Sequence, residues 1–133
     1  MNATVIPTMR YRDAPKMLEW LCNAFGFERH FVVPGDGGRI AHAQLAYGRG
    51  MIMLGSAGDD EWGRLVKPVA DVGTPTGAAY VVVTDVDAHY ARARAAGAEI
   101  VRPLADTPYG SREYAARDPE GQVWSFGTYD PWA

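Results

Sequence analysis

The chain has one cysteine, three histidines, no long apolar run and no excess of charge of one sign, and each scarcity removes a class of protein. Cys22 alone cannot close an internal disulfide, so the fold does not rest on a disulfide framework and a reducing cytoplasm is the expected compartment. No window approaches the roughly 18–20 apolar residues that a membrane span requires. The opening Met1-Asn2-Ala3-Thr4-Val5-Ile6-Pro7 has neither the basic region nor the apolar stretch of a secretory leader. Lys and Arg number 13 against 16 Asp and Glu, a net charge of −3 with the signs interspersed. A groove that tracks a phosphate backbone needs a basic stripe, so nucleic acid is not an expected partner, and neither is a membrane.

What is present is the composition of an ordinary soluble globule, 47% apolar and 22% charged over 133 residues. That length gives room for one domain, or for two half-size modules sharing a core. A chain of this size buries roughly 65–70% of its unfolded surface and needs no metal or disulfide to fold.

The order of signals repeats. Residues 3–11 read as a strand, Asp13 as a helix N-cap with Pro15 in the first turn, and Leu18, Leu21, Cys22 and Phe25 as one apolar stripe that Gly26 ends. Strands follow at 27–34, 39–47 and 50–55, separated by glycine-rich turns. In the second half, 78–84 is a valine-rich strand, Asp85 a second N-cap, and Val86, Tyr90 and Ala93 a stripe closed by Gly97. Strands at 99–102, 112–117 and 122–129 complete it, with Asp118-Pro119-Glu120-Gly121 as a hairpin turn. Asp to Gly spans residues 13 to 26 in one half and 85 to 97 in the other, which points to an internal repeat. The expected organisation is a first module over 1–56, a connecting loop over 57–76 and a second module over 77–133.

Pro7-Thr8-Met9-Arg10-Tyr11-Arg12-Asp13 before a helix resembles the opening strand of the glyoxalase/bleomycin-resistance/dioxygenase (vicinal oxygen chelate) superfamily. Tyr109-Gly110-Ser111-Arg112-Glu113-Tyr114 leading into Arg117-Asp118-Pro119-Glu120-Gly121-Gln122-Val123-Trp124-Ser125-Phe126 is similar to its closing hairpin. The resemblance implies an α+β fold of two βαβββ modules forming an incomplete eight-stranded barrel, with helices on the convex side and a concave cup for a guest. It also implies pairing as a homodimer.

Strand alternation then populates the cup. Ile6, Thr8 and Arg10 line it from the first strand, His42 and Gln44 from the third, and Met51 and Met53 from the fourth. Ala79, Val81 and Val83 are expected there from the fifth, Glu113 from the seventh, and Ser125 and Tyr129 from the eighth. Trp124 and Phe126 belong to the core. Trp62, in the connecting loop, either pins that loop or stacks on a guest, and His30 and His89 are expected at the surface.

Enzymes of this superfamily hold a cation with His, Glu or Gln from the first, fourth, fifth and eighth strands. The matching positions here are Ile6, Met53, Ala79 and Ser125, none a credible ligand, so no metal and no cofactor is expected. The favoured function is a small-molecule binding or sequestering protein for an apolar or planar metabolite or antibiotic. The ligand-binding candidates are Arg10, His42, Gln44, Met53, Trp62, Glu113, Ser125 and Tyr129. The resemblance assigns Arg10 to an anionic group on the guest; pairing with Glu113 is its alternative. A metal-independent isomerase or lyase with Glu113 as base and His42 as acid is the second reading. A metal-dependent glyoxalase-type lyase is the third.

Overall fold

A computed structural model describes residues 1–133. The chain order is β1 (Thr8–Tyr11), α1 (Ala14–Phe25), β2 (Glu28–Pro34), β3 (Ile40–Tyr47), β4 (Gly50–Ser56), α2 (Glu61–Leu65), α3 (Val69–Val72), β5 (Ala79–Val82), α4 (Val86–Ala95), β6 (Glu99–Asp106), β7 (Arg112–Arg117) and β8 (Val123–Gly127). The caps act where the sequence puts them. Asp13 accepts the Lys16 N–H at 3.2 Å and Asp85 that of Ala88 at 3.1 Å, each satisfying a first-turn donor. Gly26 takes a left-handed φ of 81°, and its N–H donates to the Cys22 carbonyl, which closes α1.

The α+β class and the twofold βαβββ order are both observed. The strands form two four-stranded sheets, β1-β4-β3-β2 and β5-β8-β7-β6, in which only β1–β4 and β5–β8 are parallel. β1 and β5 are edge strands of separate sheets, so the eight strands do not make one continuous ladder or a closed barrel.

One core serves both halves. Nineteen buried apolar residues form a single cluster that draws on α1, α4 and the helix-covered face of each sheet. Phe25, at the end of α1, lies 4.7 Å from the Phe126 ring and 5.8 Å from Trp124, so the first helix seals the second sheet. Polar ties follow the same seam. The Trp20 indole donates to the Ala96 carbonyl at 3.1 Å, and Arg92 donates to the Asn23 and Cys22 carbonyls at the end of α1.

The Asp118-Pro119-Glu120-Gly121 turn is the tightest of these ties. Asp118, 3% exposed, accepts the backbone N–H groups of Glu120 and Gln122 through Oδ1, at 3.0 Å each. Its Oδ2 accepts the Tyr11 hydroxyl at 2.6 Å and the Trp124 indole N–H at 3.1 Å. Burial raises the Asp118 carboxyl above the usual carboxylate range although all four donors oppose the rise. Two residues on, the Glu120 carboxylate accepts the backbone N–H groups of Arg12 and Asp13, at 2.7 and 2.8 Å, and so steadies the entry to α1.

Several expectations are corrected. β1 begins at Thr8 rather than residue 3, because Pro7 has no N–H to give a ladder. β6 runs on to Asp106, passing Pro103 where the pairing with β7 slips between Arg102 and Ala105; an edge strand tolerates such a break. The connecting stretch holds the one-turn helices α2 and α3, too short to show an apolar period. β5 is turned over. Val83 is 2% exposed, Ala79 and Val81 pack against the core, and Tyr80 and Val82 take the other face. Ala78-Ala79-Tyr80-Val81-Val82-Val83 is apolar throughout, so alternation carries no phase there.

His89 is also corrected, from surface to core, at 8% exposed. It shares with Val86 and Ala93 the buried face of α4. Its Nε2 lies 2.8 Å from the Phe25 carbonyl and its Nδ1 2.6 Å from the Tyr114 hydroxyl. A neutral ring that donates from Nε2 and accepts the tyrosine proton at Nδ1 satisfies both, and burial lowers its pKa to favour that form.

Candidate ligand-binding faces

Each sheet has one face covered by helices and the core and one left open. On the first sheet Ala43 and Leu45 are fully buried, and the alternating His42 and Gln44 stand on the open side, their side-chain nitrogens 3.0 Å apart. Ile52 and Leu54 turn inward from β4, which leaves Met51 and Met53 half-buried on the open side, and Met53 is paired in register with Gln44 and Thr8. Arg10 donates from Nη1 to the Ser56 carbonyl at 2.7 Å and makes no ion pair with Glu113.

On the second sheet the open face is aromatic around a single carboxylate. Glu113 faces Gly127 across the β7–β8 ladder, and Ser125 lies beside Ala115 and Tyr80. The Tyr109 hydroxyl donates to Glu113 Oε1 at 2.8 Å. The Tyr80 hydroxyl donates to the Tyr129 carbonyl at 2.9 Å and lies 3.4 Å from Glu113 Oε2. The Tyr109 and Tyr129 rings meet edge to face, centroids 6.0 Å apart and planes at 78°. All three tyrosines keep much of their surface in solvent: 38% for Tyr80, 62% for Tyr109 and 49% for Tyr129. Gly127 makes room for this set. A Cβ there would lie 2.5 Å from the Tyr80 hydroxyl oxygen and 2.6 Å from Glu113 Cγ, so any side chain would push the carboxylate aside. The hydrogen bond to Glu113 raises the Tyr109 pKa; burial, with Glu113's charge adding to it, raises that of Tyr80.

Two cavities accompany these faces. One, of about 350 Å³, lies between the edge strands β1 and β5 under the connecting stretch, with Thr8, Arg10, Lys67, Val69, Thr74 and Gln122 in its wall. The other, of about 330 Å³, is lined by Arg10, Asp36, Arg39 and Asp60 among others. Arg10 is the one expected ligand-binding residue in their walls. The expected residues therefore fall into groups: His42, Gln44 and Met53 on one sheet; Glu113, Ser125 and Tyr129 on the other; and Arg10 between the cavities. Trp62 stands on α2, 45% exposed and outside both cavity walls. Tyr80 and Tyr109 were not anticipated. Tyr80 was hidden by the missing phase of β5, while Tyr109 precedes Glu113 by four residues across a turn, a spacing that carries no signal by itself.

The donor chemistry does not fit a catalytic cation. Ile6 lies before β1 and Ala79 turns to the core, so the residues in register with Met53 and Ser125 on the open faces are Thr8 and Tyr80, giving three hydroxyls and a thioether. No three His, Cys, Asp or Glu side chains converge on a common point. Divalent Zn, Ni, Mn or Fe wants imidazole or carboxylate donors, and these positions supply neither.

The comparisons agree with this architecture. The sequence profile of the Glyoxalase/Bleomycin resistance protein/Dioxygenase superfamily matches residues 4–126, and the chain belongs to that superfamily. Among solved structures it is similar to TioX from Micromonospora sp. ML1, at 35% identity and a TM-score of 0.75, over 95% of this chain and 98% of that one. It is also 34% identical over 125 residues to Rv0887c of Mycobacterium tuberculosis, an uncharacterized protein, covering 91% of this chain and 71% of the relative. The fosfomycin resistance protein FosX from Mesorhizobium loti shares the fold at 12% identity, with a TM-score of 0.67 over 99% of this chain and 95% of its own. No helix is long and apolar enough to cross a membrane.

Proposed function

We propose that this chain binds and sequesters a small apolar or planar molecule, a metabolite or an antibiotic, rather than acting as a metal-dependent lyase. The observation that carries the proposal is the pairing of two features on the open faces. Positions where a catalytic cation would be held offer hydroxyls and a thioether, while large aromatic and methionine side chains stand there unused by the core. Soft and aromatic side chains with a few polar groups are what a guest pocket needs. Membership of a superfamily whose name includes bleomycin resistance supports this reading. The proposal extends to a homodimer. The two open faces share no major cavity within one chain, so a second copy would supply the opposite wall for each.

The test is calorimetry with a panel of planar and macrocyclic natural products, alongside sedimentation to fix the oligomeric state. Saturable binding at one guest per cup is expected, with no turnover of the bound compound. Chemical conversion of a guest that requires Glu113 and His42, both lost to alanine without loss of affinity, would replace sequestration by metal-independent catalysis.

A further inference from the structure

We infer that the guest carries a positively charged nitrogen, held on the Glu113 carboxylate beside the exposed Tyr80, Tyr109 and Tyr129 rings. The inference rests on the binding reading above and names the chemical class that the second sheet selects. Glu113 is half-buried on an open face, and no lysine or arginine pairs with it; Arg102, on the adjoining β6, makes no ion pair at all. Its Oε1 is taken by the Tyr109 hydroxyl. Oε2 has only the long 3.4 Å approach of Tyr80, whose proton is directed to the Tyr129 carbonyl. One carboxylate oxygen therefore retains acceptor capacity toward the open side.

Beside the carboxylate stand electron-rich tyrosines, Tyr109 and Tyr80 reaching it through their hydroxyls. Tyr109 and Tyr129 meet edge to face, planes at 78° and centroids 6.0 Å apart, so a guest lies against this exposed pair rather than between its rings. Exposed tyrosine rings next to a carboxylate attract an ammonium or other organic cation by quadrupole and charge together. A neutral guest of the same shape gains neither. A neutral donor would be served by one oxygen alone and would not require three exposed tyrosines. An anion is repelled. Arg10 serves a different place, since it bonds the Ser56 carbonyl and lines the cavities beside β1.

The experiment uses the full chain with tyrosine-ring labels for nuclear magnetic resonance, titrated with phenyltrimethylammonium and with its neutral isostere tert-butylbenzene. The inference expects the cation to bind at least about tenfold tighter than the isostere, with ring shifts at Tyr109 and Tyr129. Glu113→Gln should abolish that preference while the circular dichroism spectrum is unchanged. Tyr109→Leu, on an exposed turn, should weaken the cation alone and serves as an independent check on folding. Equal affinity for the two probes would overturn the inference and leave the binding function standing, because the face would then read shape without charge. Failure of both probes would overturn it as well, and the natural-product panel would judge the broader function separately.

Discussion

Replacing Asp118 by alanine tests whether the Asp-Pro-Glu-Gly turn is an architectural lock. The truncation leaves the Trp124 indole N–H without an acceptor and the Tyr11 hydroxyl with only the weak Met9 thioether at 3.4 Å, in residues that are 0% and 2% exposed. A buried donor left unpaired costs about 1–3 kcal/mol, so the two together cost about 2–6 kcal/mol. The turn N–H groups of Glu120 and Gln122 can reach water and add less. A domain typically holds about 5–15 kcal/mol in all, so the variant should stand near the edge of folding. Asp118→Asn should be milder, at about 1–3 kcal/mol. Its amide keeps one carbonyl for the turn, and the Tyr11 hydroxyl can rotate to accept from it; only the indole is stranded. Asparagine also has no charge to desolvate, the cost that raises the Asp118 pKa. Tyr11→Phe should cost about 1.5–3 kcal/mol alone, and nothing further on the Asp118→Ala background, where it removes an orphan. Urea unfolding followed by tryptophan fluorescence and far-ultraviolet circular dichroism measures all four. A loss below about 1 kcal/mol for Asp118→Ala would refute the reasoning, because it would mean the two buried donors find other partners.

Three further outcomes are expected. Burial lowers the His89 pKa, so the unfolded chain takes up the proton first; the stability this group supplies is present above the ordinary histidine value and is lost as pH falls below it. The urea midpoint should therefore drop between about pH 7.5 and pH 5.5, with a shallower slope in His89→Gln, and a midpoint that rises across this window would contradict the neutral buried ring. Gly127→Ala should displace Glu113 and Tyr80 and weaken binding of a guest about tenfold or more, while unfolding changes by much less than in Asp118→Ala; unchanged affinity would show that the close approach at Gly127 has no bearing on the guest. Protein purified without chelator should carry far less than one equivalent of Zn, Ni, Mn or Fe by elemental analysis, and stoichiometric metal would overturn the reading of Thr8, Met53, Tyr80 and Ser125 as non-ligands.

The fold was legible because its punctuation is local. Asp13 and Asp85 start helices, Gly26 and Gly97 end them, and the Asp118 turn marks the last hairpin; each acts through one or two backbone bonds that neighbours in sequence supply. Faces were legible wherever polar and apolar residues alternate, as at His42, Ala43, Gln44 and Leu45. They were not legible on β5, where every residue is apolar and only the burial of Ala79 and Val81 against the core, continued by Val83, shows the phase. His89 failed for the opposite reason. A histidine on a helix has no local reason to be buried, and its two partners, Phe25 and Tyr114, lie 64 and 25 residues away. The tyrosine cluster at Glu113 is likewise a product of register, assembled from β5, β7, the turn before β7 and the segment after β8.

The bonds that join the two halves all come from helix ends, the Asp118 turn and the shared core, while the outward surfaces of the sheets carry none of that duty. A chain built this way separates what it must keep to fold from what it can alter to recognise something new. On the proposed binding function, substitutions at His42, Met53, Tyr80 or Glu113 change what the open faces recognise at little cost to folding. The same division lets one architecture turn up with quite different side chains on its receptive side.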